Sequence, residues 1–469
     1  MASSSNIKYS DKHFTQADLP VNDLDQIYMV SSLWYDSPMR ESIGTFDLVV
    51  RDMPKNRNFM VFTGLEEMLL GINEWRYSDS IIRILLKEQL ISPSFGKYLK
   101  SFRFKGDVWA MPEGTLFFPG ETVVRITAPL IDANLFSAFL MTSLSSNTTY
   151  ATKFIRSVLA GGKVSVVGPA PQRAPGFETG FKAMRSGVIT GSDNHPTPIG
   201  RDKTKAGWIY PATIAYHAFI ASYPSEREAM ETAGKFAKFA LSLMIDTYDL
   251  KQGLINAIPV CQERNKRGLR TKVVIDSGDL AKQCRYVRKE LDKAGLKNVT
   301  ITLSSNLDEY KIDKLVKAKV PADTFIVNTE AVTSADDPKL EAVYKLVQVD
   351  TQSGVQYTAK LSSGKKSWPG KKQVFRIIKK GKYLKDIIGL ETENFKNPLL
   401  QRYMKQGKII KKLPSVQSIR KLVFEQIKKL PPKYLRIDKT FPYKVEYSAR
   451  LKSLDRQVQK HIRAQYLKQ

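Results

Sequence analysis

Three polar stretches stand where short apolar runs end, and their residue types suit a ligand rich in hydroxyl and phosphate oxygens. Asp276, Ser277, Gly278 and Asp279 follow the run 272–275, Ser304, Ser305 and Asn306 follow 299–303, and Asn328 and Thr329 follow 324–327. Carboxylates accept hydrogen bonds from hydroxyl groups, serine and threonine hydroxyls both donate and accept, and glycine lets backbone N–H groups approach an anion. Asp279 and Asn306 are also of the types that cap helices. Taken singly, each is as consistent with a helix start as with a ligand contact. Three polar ends in one register are not explained by capping alone.

What must position them is a repeat of strands and helices. KVVI (272–275) precedes an amphipathic pattern from Asp279 to about Ala294, VTITL (299–303) precedes another from Leu307 to Ala318, and TFIV (324–327) follows. This alternation of apolar periods is the mark of a βαβαβ unit. Such units build a parallel sheet, open or closed into a barrel, and ligands gather at the carboxyl ends of its strands. The alternating pattern starts near Asn147 and gives an α/β barrel domain over 147–358. Residues 21–146 mix helical spacing in GLEEMLLGINEW (64–75) with strand-like TFDLVV (45–50) and ETVVRITA (121–128), an α+β domain. The polar residues 1–20 read as a flexible extension. Residues 359–469, with Pro at 369, 398, 414, 431, 432 and 442, read as a basic segment packing back on the first domain.

Charge is unevenly placed. The chain carries a formal +28 over 469 residues, and residues 351–469 hold 30 Lys and Arg against 7 Asp and Glu, a net +23. A surface of that sign concentrates polyanions, either phosphorylated metabolites or nucleic acid, although a merely solvated basic face has the same composition. The two cysteines, Cys261 and Cys284, exclude a disulfide framework, and no Cys/His spacing suits zinc. The start MASSSNIKYSDKHF lacks the apolar core of a secretory signal, and no stretch approaches the ~20 apolar residues of a spanning helix. A cytoplasmic protein without membrane partners is expected.

Eight strings then occur in one order: FTGLEEML (62–69), EGTLFFPGE (113–121), ATKFIR (151–156), DTYD (246–249), DSGDL (276–280), SSNLDE (304–309), VYKLV (343–347) and KLSSGKKSWPGKKQVFR (360–376). The set resembles the nicotinate phosphoribosyltransferase family, type II phosphoribosyltransferases of NAD salvage, from about residue 22 to about residue 455. The resemblance implies an α/β fold: an irregular (β/α) barrel with an N-terminal α+β domain. It implies the joining of nicotinate to 5-phosphoribosyl-1-diphosphate with release of diphosphate, coupled to ATP hydrolysis through a phosphorylated histidine. A homodimer is implied too, with Mg²⁺ and ATP as cofactors. Such a site must neutralise a diphosphate, steady positive charge at an anomeric carbon and place a flat ring. By resemblance, Asp276, Ser277, Gly278 and Asp279 lie against the ribose and its phosphate. Arg173 in QRAP faces the nicotinate carboxylate and the diphosphate, and Ser304 and Thr329 complete the substrate-binding set from neighbouring strand ends.

The family's histidine lies in a strand reading GTxAH. Here ATIAYHAFI (212–220) puts Tyr216 at that place by strict spacing, and His217 there if one residue is inserted. His217 is the candidate catalytic residue, although an ungapped strand would turn it to the opposite face unless a bulge intervenes. Other positions also depart from the pattern. Asp25 stands for a clamp tyrosine, Val167-Gly168 for FG, Gln172 for the first of two arginines, Val274 for the arginine before DSGDL, and Ile326-Val327-Asn328-Thr329 for GVGT. Two lost guanidinium groups would weaken phosphate binding by several kcal/mol, at ~1.5–3 for each charged hydrogen bond. The main expectation is an enzyme of NAD salvage. The alternative is a catalytically impaired family member that serves as a basic scaffold binding nucleic acid or a large assembly, and a third is transfer to a different acceptor ring.

Overall fold

Two large sheets receive chain from all three expected segments. The computed structural model describes residues 25–192, 212–361 and 366–466, so the extension 1–20 lies outside them. In chain order the strands are β1 (Ile43–Val50), β2 (Met60–Val61), β3 (Asp107–Ala110), β4 (Leu116–Phe117), β5 (Thr122–Pro129), β6 (Ser165–Val167), β7 (Ala212–Ala215), β8 (Ala240–Met244) and β9 (Thr271–Ile275). They continue as β10 (Thr300–Leu303), β11 (Thr324–Ile326), β12 (Ala342–Thr351), β13 (Gly354–Tyr357), β14 (Lys372–Lys379), β15 (Lys382–Leu390), β16 (Gln401–Lys405), β17 (Lys408–Ile409) and β18 (Val445–Tyr447).

The first sheet has the order β13-β12-β1-β5-β3-β16-β17. Its centre comes from the N-terminal residues, but β12 and β13 extend one side and β16 and β17 the other. The return of β12 brings Val50 opposite Ala342 and Ile43 opposite Asp350, so residues 342–357 join the first domain's sheet and not the barrel's. Helix Ser137–Gly161 likewise runs across position 146 without a break. Its Leu140 and Leu144 enter the core under the first sheet, whereas Phe154 enters the core of the second. One rigid rod thus couples the two layers.

The second sheet is parallel throughout, in the order β6-β11-β10-β9-β8-β7. Its central strands β8, β9 and β10 are covered on both faces, which is why they read as nearly unbroken apolar runs, whereas β7 is largely exposed. Leu241, Leu243, Val273, Ile275, Ile301, Leu303 and Phe325 are all wholly buried. Among the described residues β6 and β7 are its edges, so the expected barrel is present as a half-barrel. Helix Val416–Lys429, in the basic C-terminal segment, places Ile419 and Val423 in a core with Phe59, Val61, Leu116 and Phe118 and also with Ile155 and Ile189.

Buried charge ties the layers together. Glu309 accepts from Lys153 Nζ at 2.8 Å and from Arg156 Nε at 2.8 Å, while Asp336 is 3.0 Å from Lys153 and 2.7 Å from Arg57. Burial opposes ionisation of Glu309, yet the two cations hold its carboxyl below the ordinary range. The strings ATKFIR and SSNLDE therefore meet in space, and their charged members act as a lock beneath the sheet.

Candidate active site

The carboxyl ends of the parallel strands share one rim because their registers are matched. Ile275 lies beside Leu303, Leu303 beside Phe325, Ile326 beside Val167, Met244 beside Val274, and Ala215 beside Leu243. Ser304 N–H continues the ladder by donating to the Ile275 carbonyl at 2.9 Å. Asp276, Ser304 and residues 327–329 accordingly leave the sheet at the same edge. That convergence is the arrangement expected from the apolar runs.

Asp246 organises the middle of the rim. It stands one residue beyond the buried Ile245 that follows β8, and its Oδ2 accepts from the Asp276 N–H at 2.7 Å and from the Ser277 hydroxyl at 2.7 Å. Its Oδ1 is buried without a hydrogen-bond partner among the described residues. A buried carboxylate oxygen of that kind calls for a donor or cation, since burial without one is costly. Gly278 takes φ +73, the left-handed turn that glycine adopts without a Cβ clash, and so delivers the chain to the next helix. Asp279 caps that helix, Leu280–Lys293, accepting from Lys282 N–H at 3.1 Å. The other capping expectation moves by two residues: Asp308, not Asn306, accepts from Lys311 N–H at 2.7 Å and caps helix Glu309–Lys317.

Strand β7 ends at Ala215, Tyr216 takes the N-cap position, and His217 opens helix His217–Ala221. Strand alternation no longer applies there, and no bulge is needed for the His217 side chain to lie at the strand-end rim. Its Nδ1 is 3.0 Å from the Thr247 hydroxyl, and its Nε2 is 4.0 Å from Asp276 Oδ2. Adjacent residues of DTYD thus hold both sides of the site: Thr247 positions the imidazole and Asp246 positions the DSGDL turn.

The remaining candidates spread along the rim. Thr329 is half-buried and opens helix Thr329–Thr333. Asn328, in a loop position expected to be glycine, turns its side chain away from open space, its Oδ1 accepting from the Ala170 N–H at 2.9 Å. This bond pins the segment after β6 to the end of β11. Gly168, at φ +129, passes so close that a Cβ would lie 2.0 Å from the Val327 carbonyl oxygen. Arg173 and Gln172 are exposed on the following turn, Pro171–Arg173. Val274 is buried inside β9. Asp25 opens helix Asp25–Tyr35, which packs Ile27 and Tyr28 into the core of the first domain.

Sequence reading gives Asp246 and Thr247 no role beyond their place in a string. The signal was available: the apolar run ALSLMI (240–245) ends in Asp246 as KVVI ends in Asp276. The set now includes carboxylates at 246, 276 and 279, hydroxyls at 247, 277, 304 and 329, and an imidazole at 217. It can accept from sugar hydroxyls, donate to phosphate oxygens and present a ring nitrogen at the rim.

The model for the nicotinate phosphoribosyltransferase N-terminal domain matches residues 21–145, and the model for the same enzyme's C-terminal domain matches 393–455. The chain is 32% identical over 436 residues to the nicotinate phosphoribosyltransferase pncB2 of Mycobacterium tuberculosis, covering 92% of this chain and 91% of that one. It is 29% identical to the nicotinate phosphoribosyltransferase of Bacillus subtilis over 91% of this chain and 92% of that one. The fold is that of the human nicotinic acid phosphoribosyltransferase crystal structure, with a TM-score of 0.82 at 22% identity over 93% of this chain and 100% of that one. Identity over nine-tenths of both chains places this protein in the nicotinate phosphoribosyltransferase family.

Proposed function

We propose that this protein joins nicotinate to 5-phosphoribosyl-1-diphosphate, releasing diphosphate, as an enzyme of NAD salvage. The observation that carries the reading is the bonded rim of Asp246, Asp276, Ser277, Thr247 and His217 at the strand ends. In this reading Asp276, Ser277, Gly278 and Asp279 hold the ribose and its phosphate, with Ser304 and Thr329 beside them. Arg173 faces the diphosphate and the nicotinate carboxylate. The carbon–oxygen bond to diphosphate breaks as the pyridine nitrogen bonds to the same anomeric carbon. Nearby carboxylates favour the positive charge that develops on the sugar.

The donor set fits Mg²⁺ arriving with the substrate. Among the described residues no three His, Cys, Asp or Glu side chains gather into a cage. Mg²⁺ commonly needs only one or two carboxylates plus substrate phosphates, and Asp276 and the Asp246 oxygen that lacks a partner among the described residues supply those. Bound there, the ion would neutralise the leaving diphosphate. ATP use is assigned to His217 as the candidate for the family's phosphorylated histidine, its Nδ1 lying 3.0 Å from the Thr247 hydroxyl. A homodimer is part of the proposal, supported by the exposed apolar side chains Ile214, Phe236 and Phe239 near the β7 edge. Cytoplasmic residence is proposed from the two buried, unpaired cysteines. No helix among the described residues is long and apolar enough to cross a membrane.

The impaired-scaffold alternative has less support, because whole-length identity runs to named transferases and the rim is internally bonded. The +23 of residues 351–469 does suit a nucleic-acid partner, as a role separate from the rim. The test of the main proposal is nicotinate-dependent diphosphate release with Mg²⁺ and ATP. Turnover at roughly 1 s⁻¹ or above is expected. No nicotinate-dependent release would reject it.

A further inference from the structure

The last helix, Ala449–Tyr466, carries a row of cations that the proposed reaction does not use. At 3.6 residues per turn, Lys452, Arg456, Lys460 and Arg463 fall within an arc of ~80°, and all four are exposed. The opposite side holds Leu451, Asp455 and Val458, all buried. Asp455 is the helix's one acidic residue, and it is turned inward to Lys366 at 2.6 Å. Nothing on the helix therefore neutralises the outer row. None of the four cations forms an ion pair among the described residues.

We propose that this row is a docking surface for the phosphate backbone of double-stranded nucleic acid. The eleven helical rises from Lys452 to Arg463 span ~16 Å, over which one strand of a duplex presents about five phosphates at ~3.4 Å of axial rise each. Four unpaired cations on a straight rod match that linear density of charge. A bilayer is a poorer fit. Helices that lie on membranes bury an apolar face among the lipids, and here that face is already packed against the protein. Binding is through the backbone, with no base read and a strong dependence on salt. The surface is independent of the strand-end rim, so it stands or falls separately from the proposed enzyme activity.

The test is fluorescence anisotropy of the full-length protein with a labelled DNA duplex of about 20 base pairs, between ~50 and ~200 mM salt. Four released counterions give a slope of about −3.6 in log affinity against log salt, so wild-type affinity should fall a hundredfold or more across that range. The variant K452Q/R456Q/K460Q/R463Q should lose about 3.6 units of slope, and R456Q alone about 0.9. A variant neutralised elsewhere, K379Q/K380Q/K428Q/K429Q, should lose less than half as much as the helix variant. An unchanged slope in the helix variant would overturn the proposal, as would an equal loss in the second variant. Binding of anionic-lipid vesicles through the same four residues, with the duplex ignored, would also overturn it.

Discussion

Replacing Asp246 with alanine removes the group that ties the turn after β9 to the end of β8, and the loss can be sized from the bonds it makes. Its Oδ2 accepts two hydrogen bonds, each 2.7 Å long, from the Asp276 N–H and the Ser277 hydroxyl. Hydrogen bonds to a charged acceptor contribute ~1.5–3 kcal/mol each. Ser277 is exposed and can turn to water, so its bond belongs at the low end. The Asp276 N–H is partly buried and its bond belongs nearer the high end. The sum is ~3–5 kcal/mol. If Asp276 must be held in place at the transition state, most of that appears in the reaction, a fall in kcat/KM of ~10²–10³-fold. Asp246→Asn keeps a carbonyl oxygen but loses charge, leaving bonds of ~0.5–1.5 kcal/mol each, a loss of ~2 kcal/mol and a smaller fall of about thirtyfold. The assay is nicotinate-dependent diphosphate release, with thermal unfolding to confirm that the fold is intact. A well-folded Asp246→Ala protein within about threefold of wild-type kcat/KM would mean that Asp246 does not hold the turn for the reaction.

Other substitutions separate the roles of neighbouring groups. His217→Gln should abolish stimulation by ATP while leaving slow nicotinate-dependent turnover, and Tyr216→Phe should leave both intact; stimulation that survives in the first variant, or vanishes in the second, goes against the assignment of His217. Glu309→Ala leaves Lys153 and Arg156 buried without their shared carboxylate and should destabilise the protein by ~3–5 kcal/mol in denaturant unfolding, so a loss below about 1 kcal/mol would show that the lock contributes little. Asp132 is pushed up to about 6, chiefly by burial, from 3.8. Because the folded form keeps its proton where the unfolded form has lost it, the stability from this group is full below pH ~4 and is lost as pH rises through about 6. Asp132→Asn should therefore gain ~2–3 kcal/mol over wild type near pH 8 and little near pH 4. Equal shifts in Tm at the two values would contradict this.

The parallel sheet was the most legible part of the chain. Buried strands alternating with amphipathic helices leave a periodic trace, and the run 272–327 reads within one or two residues of β9, β10, β11 and the helices between them. The path of β12 was not legible in the same way. A strand's composition says that it is half-buried, not which sheet it joins, and only the pairing of Val50 with Ala342 sends it back to the first domain. Helix Ser137–Gly161 hid the domain boundary for a related reason, since an unbroken helical pattern carries no mark where its packing partner changes.

The site was legible in its strand ends and less so in its bonds. Asp276 and Ser304 could be placed from local pattern because register follows from strands of matched length. His217 could not, because the choice between it and Tyr216 depends on the residue at which β7 gives way to a helix. The place of Asp246 at a strand end is legible, but its bonds are not, because its partners lie about thirty residues away, just beyond the next strand. Asn328 reads as an obstruction in sequence, where glycine is expected. In the structure its amide oxygen receives the Ala170 N–H, so the side chain is engaged in bracing the loop.

The most direct measurement is a crystal structure of this protein soaked with 5-phosphoribosyl-1-diphosphate and Mg²⁺. Ordered sugar phosphate is expected at the strand ends, with ribose oxygens within hydrogen-bonding distance of Asp276 and a phosphate beside Ser304 or Thr329. Clear density for the ligand bound elsewhere, or an empty rim at saturating ligand, would contradict that expectation.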